Sequence, residues 1–241
     1  MGANLARKKT IPKPMSDAIP GSLQLTDYWN NSATSKVFGH PIPDAVIEAY
    51  FPANAKVLDI GCGQGRLSRI LADMGFQVSG ADTSTAMLAE ARNNAPNCEF
   101  RQSCEGRLAY GDNAFEVAIA VTLFTSVPAA SEQRQLISEI KRILKPGGIL
   151  FVSDLPLQWT DRYLARYQAG QERYGQYGVF DLENGGVVRH HEQAYFMQLV
   201  SDLTPLKMET HEVVTMNGNQ AQAFRFVGQL SVGQHSRVLQ Y

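Results

Sequence analysis

The sequence predicts a doubly wound α/β fold with a mostly parallel sheet and a C-terminal antiparallel hairpin. Three observations predict it. Short apolar runs alternate with stretches of helical period over residues 45–155. A glycine-rich turn, Gly61-Cys62-Gly63-Gln64-Gly65, follows the first such run directly. Two acids, Asp59 and Asp82, stand at the carboxyl ends of the first two runs.

The elements follow in order. Residues 23–37 form an ambiguous, partly helical segment carrying Tyr28 and Trp29. Pro43 and Asp44 can open a helix with Val46, Ile47 and Tyr50. Val57, Leu58 and Ile60 predict a buried parallel strand. After the glycines, Leu67, Ile70, Leu71 and Met74 return at helical spacing. The second strand spans 77–81, and Thr83 or Ser84 caps a helix burying Met87, Leu88 and Ala91. A short third strand lies near 98–101 and a strongly apolar fourth at 115–121. Ser131 is expected to cap an amphipathic helix carrying Leu136, Ile137, Ile140, Ile143 and Leu144. Lys145-Pro146-Gly147-Gly148 stops that helix before a fifth strand at 149–152. Trp159, Tyr163, Leu164 and Tyr167 share the spacing of one helix face. A helix over 192–203, a strand over 206–214, a turn at Met216-Asn217-Gly218-Asn219 and a return strand over 223–227 complete the chain.

Composition narrows the function. The 241 residues are 44% hydrophobic, enough for one core with an insertion. With 22 basic and 23 acidic side chains the net charge is -1, without the basic field of a nucleic-acid binder. The cysteines Cys62, Cys98 and Cys104 are odd in number and show no C-x-x-C spacing. They predict a reducing, cytoplasmic setting with no disulfide framework and no bound metal. No segment has the length of a membrane span and no signal-peptide pattern is present, so no membrane partner is expected.

The G-x-G-x-G of Gly61, Gly63 and Gly65 follows Asp59, and Arg66 stands where a dinucleotide-binding turn needs its third glycine. Asp82 comes about twenty residues after the turn. Leu144-Lys145-Pro146-Gly147-Gly148 then precedes the fifth strand. In this order, over residues 45–155, the chain resembles the class I S-adenosylmethionine-dependent methyltransferases. The resemblance implies a Rossmann-like sheet of seven strands, S-adenosylmethionine as cofactor and S-adenosylhomocysteine as its product. It implies roles as well. Asp59 would orient the cofactor ammonium, Gly61, Cys62 and Gly63 would let the methionine part approach the backbone, and Asp82 with Thr83 would hold the ribose. Met87 would pack on adenine or serve as plain core. Cys104 and Glu105 would border the adenine edge, with Val121 ending the fourth strand. Two departures stand out: Cys104 falls where the family often has an aspartate, and the loop after the fourth strand offers Ser126 and no histidine.

The domain expectations are a mobile tail over 1–20, a cofactor-binding core with an N-terminal helical cover over 21–155, a substrate lid over 156–191, and a C-terminal helix and hairpin over 192–241. His190, His191 and His40 are the candidate bases, weighed against surface or structurally satisfied histidines. Tyr28, Trp29, Tyr177, Phe180 and Arg189 are the candidate substrate contacts. The expected activity is methyl transfer to a small molecule by in-line displacement, with orientation as the main catalytic device. Three rivals remain: methylation of RNA or protein, cofactor binding without turnover, and nicotinamide oxidoreduction.

Overall fold

The computed structural model describes residues 18–34, 40–104, 106–183, 185–216 and 218–231. Five strands run parallel: β1 (Lys56–Ile60), β2 (Gln77–Asp82), β3 (Glu99–Gln102), β4 (Phe115–Val121) and β5 (Leu144–Asp154). Two further strands, β6 (Val179–Asp181) and β7 (Val187–Arg189), pair only with each other. The last two, β8 (Leu203–Val214) and β9 (Gln220–Leu230), are antiparallel, and β9 joins them to β5. The main sheet has seven strands in the order β3-β2-β1-β4-β5-β9-β8. The order reverses between β1 and β4, and ligands of such sheets bind in the crevice at that point.

The alternation of side chains builds two cores. Val57, Val117, Ile119 and Phe151 point to one face, against Val46 and Ile47 of α2 (Asp44–Tyr50) and Leu67 and Leu71 of α3 (Arg66–Asp73). Leu58, Ala118, Leu150 and Val152 point to the other, against Ile140 and Ile143 of α6 (Ala130–Ile143) and Phe196 of α8 (Gln193–Leu199). Burying each such large apolar side chain contributes about 1.5–3 kcal/mol. Asp59 takes the α3 side by the same alternation, and there Ser68 Oγ donates to its Oδ2 at 2.7 Å.

Several boundaries differ from expectation. Ile70 and Met74 are exposed, because α3 buries only the Leu67–Leu71 stripe. The N-cap of α6 is Ala129, and Ser131 caps nothing. Residues 145–148 belong to β5, which bulges against β4 and begins five residues early because Leu144 pairs with Phe115. The helix expected over 192–203 ends at Leu199, and β8 starts at Leu203 and bulges at Pro205, a residue with no N–H to give the ladder.

Two segments lie over the crevice. Between β5 and α8 the chain forms α7 (Asp161–Tyr174) and the β6–β7 ribbon. Tyr163, Tyr167, Phe180, Leu182 and Val188 there share a small core with Tyr28 of α1 (Thr26–Ser32). Gly170 brings α7 onto β6 so closely that a Cβ would stand 1.7 Å from the Val179 carbonyl oxygen. Trp159 precedes α7 and is 74% exposed, so it is not on the buried face with Tyr163 and Tyr167. The other segment is the N-terminal stretch from residue 18, fixed at three points. Ser22 N–H and Oγ donate to Glu132 Oε2 at 2.9 and 2.7 Å. Asn30 Oδ1 accepts from Ser84 Oγ at 2.6 Å, and Gln64 Nε2 donates to the Ala33 carbonyl at 2.5 Å. Apart from residues 18–20, the tail expected over 1–20 lies outside the described residues.

Candidate cofactor and acceptor site

One cavity of about 440 Å³ opens at the carboxyl ends of β1, β2 and β4. Its floor is the turn after β1. Gly61, Gly63 and Gly65 all hold positive φ, at 69°, 51° and 75°, which glycine adopts without steric cost. The turn is anchored by Gly61 N–H and Cys62 N–H on the Ala81 carbonyl at 2.7 and 3.1 Å. The one heavy atom of the described residues within 4 Å of a Cβ on Gly63 would be Met87 Sδ, an ordinary contact at 3.9 Å, so the positive φ and not crowding is what favours glycine there.

Asp82 ends β2 beside this turn. Its Oδ2 accepts Gly63 N–H and its Oδ1 accepts Ser84 N–H, each at 2.9 Å. Each carboxylate oxygen has two lone pairs, so each can still accept one hydroxyl. Burial pushes Asp82 up, and the backbone donors pull it back. Ser84 caps α4 (Thr85–Asn94) by accepting Met87 N–H at 3.1 Å. Asp59 is 3% exposed and lines the cavity. Burial raises it to about 6, against the Ser68 hydrogen bond and the charge of Arg66.

The residues assigned from sequence separate clearly. Asp59, Gly61, Cys62, Gly63, Asp82, Thr83, Met87 and Val121 all line the cavity. Met87 is also 2% exposed, so it is both core and wall. Cys104 does not line it. Its backbone bridges Arg107 in a tight turn that leaves the side chain exposed. Ser103 and Leu108 border the cavity there instead. Glu105 lies outside the described residues.

At the other end Trp29, Phe180, His190 and His40 line the cavity. Tyr28, Tyr177, Arg189 and His191 do not, for distinct reasons. Tyr28 packs beneath the ribbon against Gly186. Tyr177 is 39% exposed on the outer side of α7. Arg189 is buried with its guanidinium 4.4 Å from the Tyr195 ring centroid. His191 points the opposite way from His190, stacks on Tyr195, and has Nε2 2.7 Å from Gln133 Nε2. Burial pushes His190 down to about 3, and burial with nearby His211 pushes His40 down to about 4. Among the described residues no group of three or more His, Cys, Asp or Glu is placed to hold a metal.

Other residues escape the sequence reading, some lining the cavity and some, Asp154 and Gln133 among them, supporting its wall from behind. Asp154 ends β5 as Asp59 and Asp82 sit at the ends of their strands, and that shared position was the available signal. It is fully buried, raised to about 6 by burial, and accepts Phe124 N–H at 2.8 Å together with Thr125 N–H and Oγ1. These bonds fix α5 (Leu123–Ser126), whose residues Leu123, Thr125 and Ser126 face the cavity. Gln133 supports the same turn from below, donating to the Phe124 and Val127 carbonyls. Arg66 gives Nη2 to the His40 carbonyl at 2.7 Å, joining the N-terminal stretch to α3. Thr215, Met216 and Asn219 at the β8–β9 turn reach the cavity rim, and nothing local in the sequence marks them.

The fold agrees with comparisons to known proteins. The family described as "Methyltransferase domain" matches residues 57–148. A solved S-adenosylmethionine-dependent methyltransferase from Methanosarcina mazei superposes with a TM-score of 0.75 at 25% identity, covering 82% of this chain and all of that one. Residues 57–148 thus match a methyltransferase domain, and the fold is that of the class I S-adenosylmethionine-dependent methyltransferases. The family's cofactor is S-adenosylmethionine. An uncharacterized methyltransferase of Synechocystis is 37% identical over 107 residues, 43% of this chain and 50% of that protein. A demethylmenaquinone methyltransferase of Chlorobaculum parvum is 31% identical over 132 residues, 54% of this chain and 50% of its own length. The chain thus spans about half the length of the curated relatives it matches. Among the described residues no helix is long and apolar enough to cross a membrane.

Proposed function

We propose that this methyltransferase moves the S-adenosylmethionine methyl group to a small, largely apolar acceptor held beneath α7 and the β6–β7 ribbon. One observation carries the reading: a single cavity joins the glycine turn and Asp82 to a wall of Trp29, Tyr163, Phe180, Leu182 and Val188. Small-molecule sites are lined in this way, mainly apolar with a few placed polar groups. Asp59 pairs with the cofactor ammonium, Asp82 accepts the ribose hydroxyls, and Met87 and Leu108 flank the adenine. Residues 156–191 serve as the lid over the acceptor, and the N-terminal stretch closes the cofactor side.

The sulfonium already activates the methyl group, so catalysis rests on holding the acceptor atom in line with it. His40 and His190 are unsuited as general bases, since groups lowered to about 4 and about 3 take a proton weakly near neutrality. The balance of 22 basic and 23 acidic residues supports a metabolite over a nucleic acid. The free cysteines support a reducing, cytoplasmic setting.

Two measurements test the reading. Calorimetry with S-adenosylhomocysteine should show a micromolar or tighter site, and no heat at millimolar ligand would reject the cofactor roles. Labelled S-adenosylmethionine incubated with a metabolite extract should label a small product identifiable by mass. Label appearing only in RNA or protein would reject the acceptor class.

A further inference from the structure

We infer that His190 recognises the acceptor as a neutral hydrogen-bond donor, locked in its Nε2–H form by Tyr167. The inference rests on the methyl-transfer reading above and names the group that reads the substrate.

Tyr167 lies in α7 and is fully buried. Its hydroxyl receives Gln158 N–H at 3.0 Å and stands 2.7 Å from His190 Nδ1. A phenol has one hydrogen to give. Among the described residues the only acceptor within reach of that hydroxyl is His190 Nδ1. Were Nδ1 itself the donor, the Tyr167 hydrogen would be buried without a partner, which costs about 1–3 kcal/mol. So Nδ1 accepts, and the ring proton sits on Nε2.

The surroundings keep that ring neutral. Tyr163, Tyr167 and Phe180 stand around His190 with ring centroids 5.0 to 5.9 Å away. Arg166 is the nearest cation, and its charge adds to burial in disfavouring an imidazolium. Glu183, the carboxylate paired with Arg166 at 3.4 Å, is at the surface. A base at position 190 would need a lone pair on the cavity side. This network puts a hydrogen there.

His190 and Arg166 are thus two nitrogen donors set beside Trp29, Tyr163, Phe180, Leu182 and Val188 on this wall. Arg166 also lies over the Phe180 ring at 5.6 Å. The matching substrate class is a flat apolar molecule bearing a carbonyl, carboxylate or phenolate oxygen. That oxygen accepts from His190 Nε2 while the ring lies against Phe180 and Tyr163. Tyr167 is a positioning residue, acting only through His190.

The test uses the full chain with ¹⁵N-labelled histidine. Long-range proton–nitrogen spectra report each tautomer, and the His190 signal is assigned by its loss in His190→Gln. The expected signal is neutral Nε2–H with no titration from pH 8 to 5. An Nδ1–H form, or a midpoint near the ordinary histidine value, overturns the proposal. Tyr167→Phe should let the two tautomers mix, and an unchanged tautomer there removes the positioning role. A binding arm uses protein saturated with S-adenosylhomocysteine, titrated with 1,4-naphthoquinone and with naphthalene. The quinone should bind about five- to tenfold more tightly, the worth of one buried hydrogen bond. His190→Phe should lose that advantage and His190→Gln, whose amide still donates, should keep it. Equal binding of the two probes by the unmodified protein, or equal loss in both variants, overturns the proposal. The first step of the same titrations separates the two levels. Failure to bind S-adenosylhomocysteine defeats the methyl-transfer reading, whereas normal binding with the wrong tautomer defeats only this inference.

Discussion

The two ends of the cavity are built from different materials. The cofactor end is largely main chain: three glycines at positive φ, two backbone N–H groups on Asp82, and a strand-to-helix turn of five residues. The end proposed for the acceptor is side chain, drawn from α1, α7, β6 and β7 and closed by aromatic contacts. A backbone site tolerates few sequences and leaves its mark within a short window. A side-chain site can be assembled in many ways and leaves a mark only once the chain is folded.

The sharpest test of this contrast is a pair of glycine substitutions. Gly63→Val places a branched side chain at φ 51° and fills the space beneath the cofactor. It should weaken S-adenosylhomocysteine binding about 100-fold or more, given the strain of a non-glycine residue there. Gly170→Val drives Cβ into the Val179 carbonyl and should displace the β6–β7 ribbon. Methyl transfer should fall about as far, with cofactor affinity held within about twofold, since no contact at the glycine turn changes. If Gly170→Val weakens both equally, the two ends are one cooperative unit and the contrast fails.

Asp82→Asn should act next most strongly. The amide keeps one acceptor oxygen, loses the charge, and presents an NH₂ to either Gly63 N–H or Ser84 N–H. Charged hydrogen bonds of this kind contribute about 1.5–3 kcal/mol, so affinity for S-adenosylhomocysteine should drop about 10- to 100-fold by calorimetry. Loss of turnover with unchanged affinity would move Asp82 out of the ribose site.

The smallest effect is one of pH. Asp59 is raised to about 6 in the unliganded protein, and only its ionised form pairs with an ammonium. Below pH 6 the cofactor must displace a proton, so affinity should fall by up to about tenfold per pH unit, and level off above about pH 7. Asp59→Asn should lower affinity and flatten that slope. The acceptor end should add none, since His190 and His40 stay neutral down to about 3 and about 4. A slope that survives in Asp59→Asn would reassign the titrating group.

What the sequence reveals follows the same division. Gly61, Gly63, Gly65 and Asp82 are legible because each meets its requirement within twenty-odd residues, in a pattern that strand, turn and helix impose. The sheet was legible for a similar reason, through short apolar runs such as Val57-Leu58 and the one over 115–121, which the structure buries on both faces. Ser22 finds Glu132 across 110 residues, Asn30 finds Ser84 across 54, and Tyr167 finds His190 across 23. No local periodicity encodes such meetings. The aromatic residues of 156–191 announced an insertion, and which of them line the cavity is set by how α7 packs on the β6–β7 ribbon. Tyr163 in α7 lines the cavity, whereas Tyr177, in the turn after α7, is exposed on the outer side.

Asp82 holds Gly63 and Ser84 before any ligand arrives. The entropy of freezing that socket is therefore spent during folding, and a nucleoside placed there as proposed meets finished geometry. Adenosine by itself, stripped of sulfur and amino acid, should bind measurably and compete with the full product. On the proposed roles, the methionine tail then adds charge pairing at Asp59 to a fragment that is already seated.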